Sequence, residues 1–132
     1  MGLDIHIKGL DYKNSYCSSY SGFARYRMII AKAYNERLGE LYEKAMKYSF
    51  RDEYLSIEEI DEWNKICNDN LDILLWHSDC DGKLTVSECR KVYKVLKEYE
   101  SNLFPFPYNE LHEKFLSNLK FSIDNRRNMY FC

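Results

Sequence analysis

The stretch Leu3 to Leu10, LDIHIKGL, alternates apolar Leu3, Ile5 and Ile7 with polar Asp4, His6 and Lys8, the period of a strand with one buried face, and Gly9 ends it. A strand needs partners for its backbone donors and acceptors, and a two-stranded pairing is marginal in water unless it lies on something else. The second strand-like piece is at the other terminus, where NMYFC offers Met129 and two aromatics after the break DNRRN. Between the two the apolar residues recur at helical spacing. The expected fold is therefore α+β: a mostly helical single domain over residues 1–132, with four to five helices, in which the N- and C-terminal strands pair and rest on the helices.

The helical middle is punctuated by its own caps. From Phe23 the positions Tyr26, Ile30, Ala33, Leu38, Leu41 and Ala45 share a face, with a break expected around NERLG. LSIEEI combines a capping box, Ser56 with Glu59, and a hydrophobic staple, Leu55 against Ile60, and starts a unit that runs through Trp63 and Cys67 toward Trp76 with a break near NDN. Thr85 and Glu88 form a second capping box ahead of Cys89, Val92, Tyr93 and Leu96. FPFP then stops the chain, and a last helix carries Leu111, Phe115, Leu119 and Ile123 on one stripe.

Composition removes several classes of function. Apolar residues make up 45% of the 132, with twelve tyrosines and seven phenylalanines, so the chain can bury a sizeable core and is not disordered. Nineteen basic and twenty-one acidic residues are mixed along it to a net charge of −2, which leaves no global field for generic nucleic-acid binding. No apolar run has membrane length and no signal peptide is evident. Five cysteines, Cys17, Cys67, Cys80, Cys89 and Cys132, form no CxxC pair, which fits a reduced cytoplasmic protein with mostly buried thiols.

The densest polar segment is HSDCDGKLTVSE, from His77 to Glu88. As a calcium loop with Gly82 at the sixth position it would present Asp79, Asp81 and Glu88 as oxygen ligands, but His77 stands where an aspartate belongs and there is no second copy. As a transition-metal site, His77, Asp79 and Asp81, with Cys80 beside them, supply ligands that Zn or Mn accepts. As a simple helix stop and start, Asp81 and Gly82 make the turn and Thr85 and Glu88 cap the next helix. That last account leaves His77, Asp79 and Asp81 without a role.

A second cluster, SYCSSYSGFARYR, gathers serines, tyrosines and two arginines at the start of the first helix. Helix amino-termini expose unpaired N–H groups that attract anions, and Ser19 or Ser21 is the natural cap. Arg25 and Arg27, two residues apart, cannot both face one point, so one of them serves the surface.

These segments carry a resemblance. A chain with a GLD start, a YSGFARYR segment, HSDCDG before a helix and a closing KFLSNLK and MYF is similar to a family of small uncharacterised proteins found in bacteria and their phages. It departs from that family in Tyr26 for a tryptophan, Lys83 for an acidic residue and a longer middle around residues 36 to 56. The resemblance implies a phage or prophage context and no particular chemistry.

With no Gly-rich phosphate loop and no catalytic arrangement evident by spacing, a binder is favoured over an enzyme. The site expected comprises His77, Ser78, Asp79 and Asp81 on the loop, facing Tyr20, Ser21, Arg25 and Arg27 at the first helix. Carboxylates there would accept from ribose hydroxyls or base amino groups while the helix terminus and an arginine hold a phosphate, so the ligand is a small, anionic, nucleotide-like molecule, and in a phage context a host defence signal to be sequestered. No cofactor is required. Two alternatives remain open: a protein that blocks a host macromolecule through exposed aromatics such as Tyr16, Tyr20, Phe104 and Phe106, and a metal-binding protein or metal-dependent hydrolase using His77, Asp79, Asp81 or Glu88. A homo-oligomer, with Arg25 carried to the loop by a second copy, is compatible with either site.

Overall fold

Leu3 and Ile5 point into the protein and Asp4 and His6 out of it, along strand β1 (Gly2–His6) of a computed structural model that describes residues 2–47 and 55–132. Met1 and part of the longer middle, residues 48–54, lie outside the described residues. β1 pairs antiparallel with β4 (Met129–Phe131), Ile5 directly opposite Phe131, so the two terminal segments meet as their patterns require. The sheet is larger than a pair. β2 (Cys17–Ser19) flanks β1 and β3 (Lys83–Leu84) flanks β4, giving four antiparallel strands in the order β2-β1-β4-β3. Both added strands are very short and fall inside the two polar clusters, where turn-forming residues hide a period of two.

Six α-helices are present among the described residues: α1 (Tyr20–Tyr34), α2 (Glu36–Lys47), α3 (Ile57–Ile66), α4 (Asp69–Leu75), α5 (Val86–Leu96) and α6 (Tyr108–Asn125). Two breaks account for the excess over four or five. At the first, the Asn35 side chain accepts from the Leu38 N–H, ending α1 and capping α2 in one residue. At the second, the Asn68 side chain accepts from the Asn70 N–H at 2.7 Å and starts α4 directly after α3. The capping boxes of Ser56 with Glu59 and of Thr85 with Glu88 are both formed.

One face of the sheet packs on α1, with Phe23 against Phe131 at 6.0 Å between ring centroids. Tyr16, Tyr26 and Phe115 extend this contact into an aromatic core, Tyr16 meeting Phe115 edge-on at 5.4 Å. The buried stripe of α6 differs from the apolar one expected. Leu111 and Ile123 are half-buried, while polar His112, Asn118 and Ser122 are wholly buried beside Phe115 and Leu119. Each has partners: Asn118, for example, accepts from the Tyr16 N–H at 2.8 Å and donates to the Asn14 carbonyl at 3.0 Å, fixing the turn between β1 and β2.

The cysteines also depart from expectation. All five are free thiols, but only Cys67 and Cys89 are buried, and Cys17, Cys80 and Cys132 are exposed. Among the described residues no helix is long and apolar enough to cross a membrane.

Candidate functional site

The His77–Glu88 segment leaves α4 and enters β3 as a tight, self-bonded loop. The Ser78 hydroxyl accepts from the backbone N–H groups of Cys80 and Asp81 at 3.2 and 3.3 Å. Gly82 has φ +83, a conformation that penalises any side chain, and its carbonyl accepts from the Phe131 N–H at 3.0 Å, tying the loop to β4. The His77 ring lies against Phe131 with centroids 4.0 Å apart, its Nδ1 2.8 Å from the Ser78 carbonyl and its Nε2 3.0 Å from the Lys83 carbonyl. Both nitrogens thus face backbone acceptors, and a metal would have to displace one of them. Glu88 is bound to the Thr85 N–H at 2.9 Å. Among the described residues no three His, Cys, Asp or Glu side chains gather as a metal would require.

Arg27 joins this loop to the first helix. It is 1% exposed, and its Nη1 donates to the carbonyls of Leu74, Leu75 and His77, the last at 2.6 Å. These carbonyls belong to the last turn of α4 and the residue that leaves it, the negative end of the helix dipole, where a cation is stabilising. The guanidinium also stacks on Phe23, its carbon 4.3 Å from the ring centroid. Burial pulls the Arg27 guanidinium down from its ordinary range, while Tyr42 and Asp79 act in the opposite sense. The same burial pushes the Tyr42 phenol up to about 12. Arg27 shares the stripe of Phe23 and Ile30, a signal available from spacing alone and easily dismissed for a charged residue.

Beside this junction is a cavity of about 210 Å³ lined by Arg27, Trp76, His77, Ser78 and Asp79. Four of the eight ligand-binding residues expected from sequence therefore converge. The other four do not line it. Arg25 is exposed on α1, about 200° around the helix from Arg27. Tyr20 and Ser21 lie about 10 Å up the helix axis from Arg27, at an amino-terminus already capped by Ser19, whose hydroxyl accepts from the Gly22 N–H at 3.0 Å. Asp81 is exposed and is not among the residues that line the cavity. Trp76, which no motif singled out, completes the wall.

Compared with protein-family models, curated proteins and solved structures, the chain matches none. The chemistry of the cavity therefore rests on its own residues: a carboxylate that accepts, a hydroxyl whose oxygen is already bonded to two loop N–H groups and whose proton can be donated, an indole that offers an apolar face, and a buried guanidinium. Such a set can bind a small polar ring from several sides, and it holds no nucleophile paired with a base. Of the aromatics considered for an interaction surface, Tyr16 and Phe104 are buried at 0% and 4% exposed, while Phe106 is 75% exposed.

Proposed function

We propose that this is a small accessory protein of phage or prophage type that binds a nucleotide-like ligand, holding its sugar or base in the cavity between Arg27 and the His77–Asp79 turn. The observation that carries this is the cavity itself, whose wall combines Asp79 and Trp76 with a fully buried arginine. Asp79 would accept from ribose hydroxyls or a base amino group, Ser78, whose oxygen already accepts from two loop N–H groups, would donate its hydroxyl proton, and Trp76 would cover the ring face. At about 210 Å³ the space is below the roughly 300 Å³ at which ligand pockets ordinarily begin, so it takes one ring system and leaves a phosphate at its mouth. Sequestration of a host defence signal in the host cytoplasm fits this role.

Calorimetric titration with AMP, GMP and their nucleosides, joined to mass spectrometry of molecules that co-purify, tests the proposal. Binding is expected, with Asp79→Ala weakening it by about 1.5 to 3 kcal/mol and leaving the melting temperature nearly unchanged. If Asp79→Ala instead lowers the melting temperature and no nucleoside or nucleotide binds, the residue only supports the loop. A stoichiometric metal in the purified protein would favour the metal-site alternative.

A second role, blocking a host macromolecule, has support of its own in the Ser101–Pro107 segment, where Leu103 is 54% and Phe106 75% exposed. An empty ligand screen, together with a partner whose binding Phe106→Ser abolishes, would favour it.

A further inference from the structure

The break DNRRN does more than stop α6. Arg126 sits after the last helical turn in the left-handed conformation, φ 53 and ψ 48. Its N–H bonds the Ile123 carbonyl, and the Arg127 N–H bonds the Ser122 carbonyl at 3.0 Å, the pattern of a Schellman turn. That position ordinarily belongs to glycine, sometimes asparagine, because a Cβ there meets the backbone. An arginine is a poor choice for the turn.

Arg126 lines a surface cavity of about 270 Å³ together with Lys8, Arg127, Asn128 and Tyr130. Three cations from two distant segments meet there, and the lining holds no carboxylate. Among the described residues none of the three is in an ion pair, and the neighbouring carboxylate Asp124 is turned to Lys120 at 3.5 Å. The Asn128 side-chain carbonyl is occupied by the Val86 N–H, which leaves its NH₂ to donate, and the Tyr130 phenol adds a fifth donor group. Like charges gathered without a counter-charge repel one another, so the arrangement is stabilised by an anion. Two guanidinium forks suit the oxygens of a phosphate.

We infer that this cavity is an anion site for a phosphate-type dianion, either free or as the terminal group of a phosphomonoester. It is separate from the Arg27–Asp79 cavity: Tyr130 and Phe131 are consecutive strand residues on opposite faces of the sheet, and His77 packs on the Phe131 side.

The backbone of Arg126 makes the test discriminating. Titration calorimetry of the full chain with inorganic phosphate, and in a second arm with glycerol 3-phosphate, at constant ionic strength, should give saturable one-to-one binding in at least one arm. The stronger arm tells whether the free anion or the ester is preferred. Lys8→Ala and Arg127→Ala should each weaken binding at least tenfold. Arg126→Gly should weaken it as much while raising Tm by about 3 °C, since glycine relieves the turn. No saturable heat in either arm, heat that extra chloride removes in proportion to its concentration, or an Arg126→Gly variant that keeps full affinity would each overturn the assignment.

Discussion

His112 has no exposed surface, and its two ring nitrogens face different partners: Nε2 is 2.8 Å from the Tyr99 carbonyl and Nδ1 2.7 Å from the Tyr26 hydroxyl. A carbonyl can only accept, so Nε2 carries the proton and Nδ1 accepts from Tyr26. Burial lowers the pKa of this imidazole below its ordinary 6.5, against a smaller opposing effect of the Tyr99 bond. The unfolded chain therefore takes up the proton first as pH falls, and this contribution to stability is complete above pH 6.5 and declines below it. Urea unfolding at pH 7.5 and pH 5.5 should show the loss, and His112→Asn should flatten that slope; equal slopes for the two proteins would contradict it. None of this was legible in advance. His112, Asn118 and Ser122 occupy positions that a hydrophobic pattern assigns to apolar residues, and their partners are up to 104 residues away. A single sequence carries no mark of such distant bonds, whereas Ser56 with Glu59 and Thr85 with Glu88 are local pairs and were readable at once.

α4 is seven residues long, too short to persist without help at its ends. Asn68 supplies the start from the residue next to the helix, and Arg27 supplies the end from α1. The turn of α4 into the His77 loop is therefore set by a residue 50 positions before His77. Arg27→Met keeps an apolar stem over Phe23 but removes the donor from the Leu75 and His77 carbonyls, while Leu74 keeps its backbone N–H partners, and should cost about 3 kcal/mol in urea unfolding. Arg27→Lys should not restore it, since a single ammonium lacks the planar fork that stacks and bridges together. A variant as stable as the parent would show that water replaces the guanidinium. At this scale the sequence was half readable. The helix breaks at Asn35 and Asn68 coincide with NERLG and NDN, but β2 and β3 are three and two residues long and offer no period to detect. The same limit leaves the choice between the two arginines open: spacing says that Arg25 and Arg27 diverge, and only packing says which one turns inward.

In the molecule as a whole the thiols sort into two environments. Burial pushes the Cys67 thiol up to about 12, with Asp72 adding to it, and raises Cys89 as well. Native labelling with a small disulfide reagent at pH 8 should modify Cys17, Cys80 and Cys132 quickly and Cys67 and Cys89 only as the protein opens. Five fast thiols would mean that the core is not closed around Cys89. On the outer face of the sheet Cys17 and Cys132 flank Asp4 and Tyr130 lies between His6 and Lys83, and these residues are exposed among the described residues. The pairing of β1 with β4 bears on how the molecule is made as well as on its shape. During synthesis β2 is available to β1 within a few residues, whereas β4 is not complete until Phe131 has left the ribosome. For all that interval the second edge of β1 has no strand beside it, and the nascent chain presents an open ladder of N–H and C=O groups to whatever is near it. The hazard of misassembly is thus concentrated on the ribosome, before the last strand arrives, and the speed of translation through the helical middle sets how long it lasts.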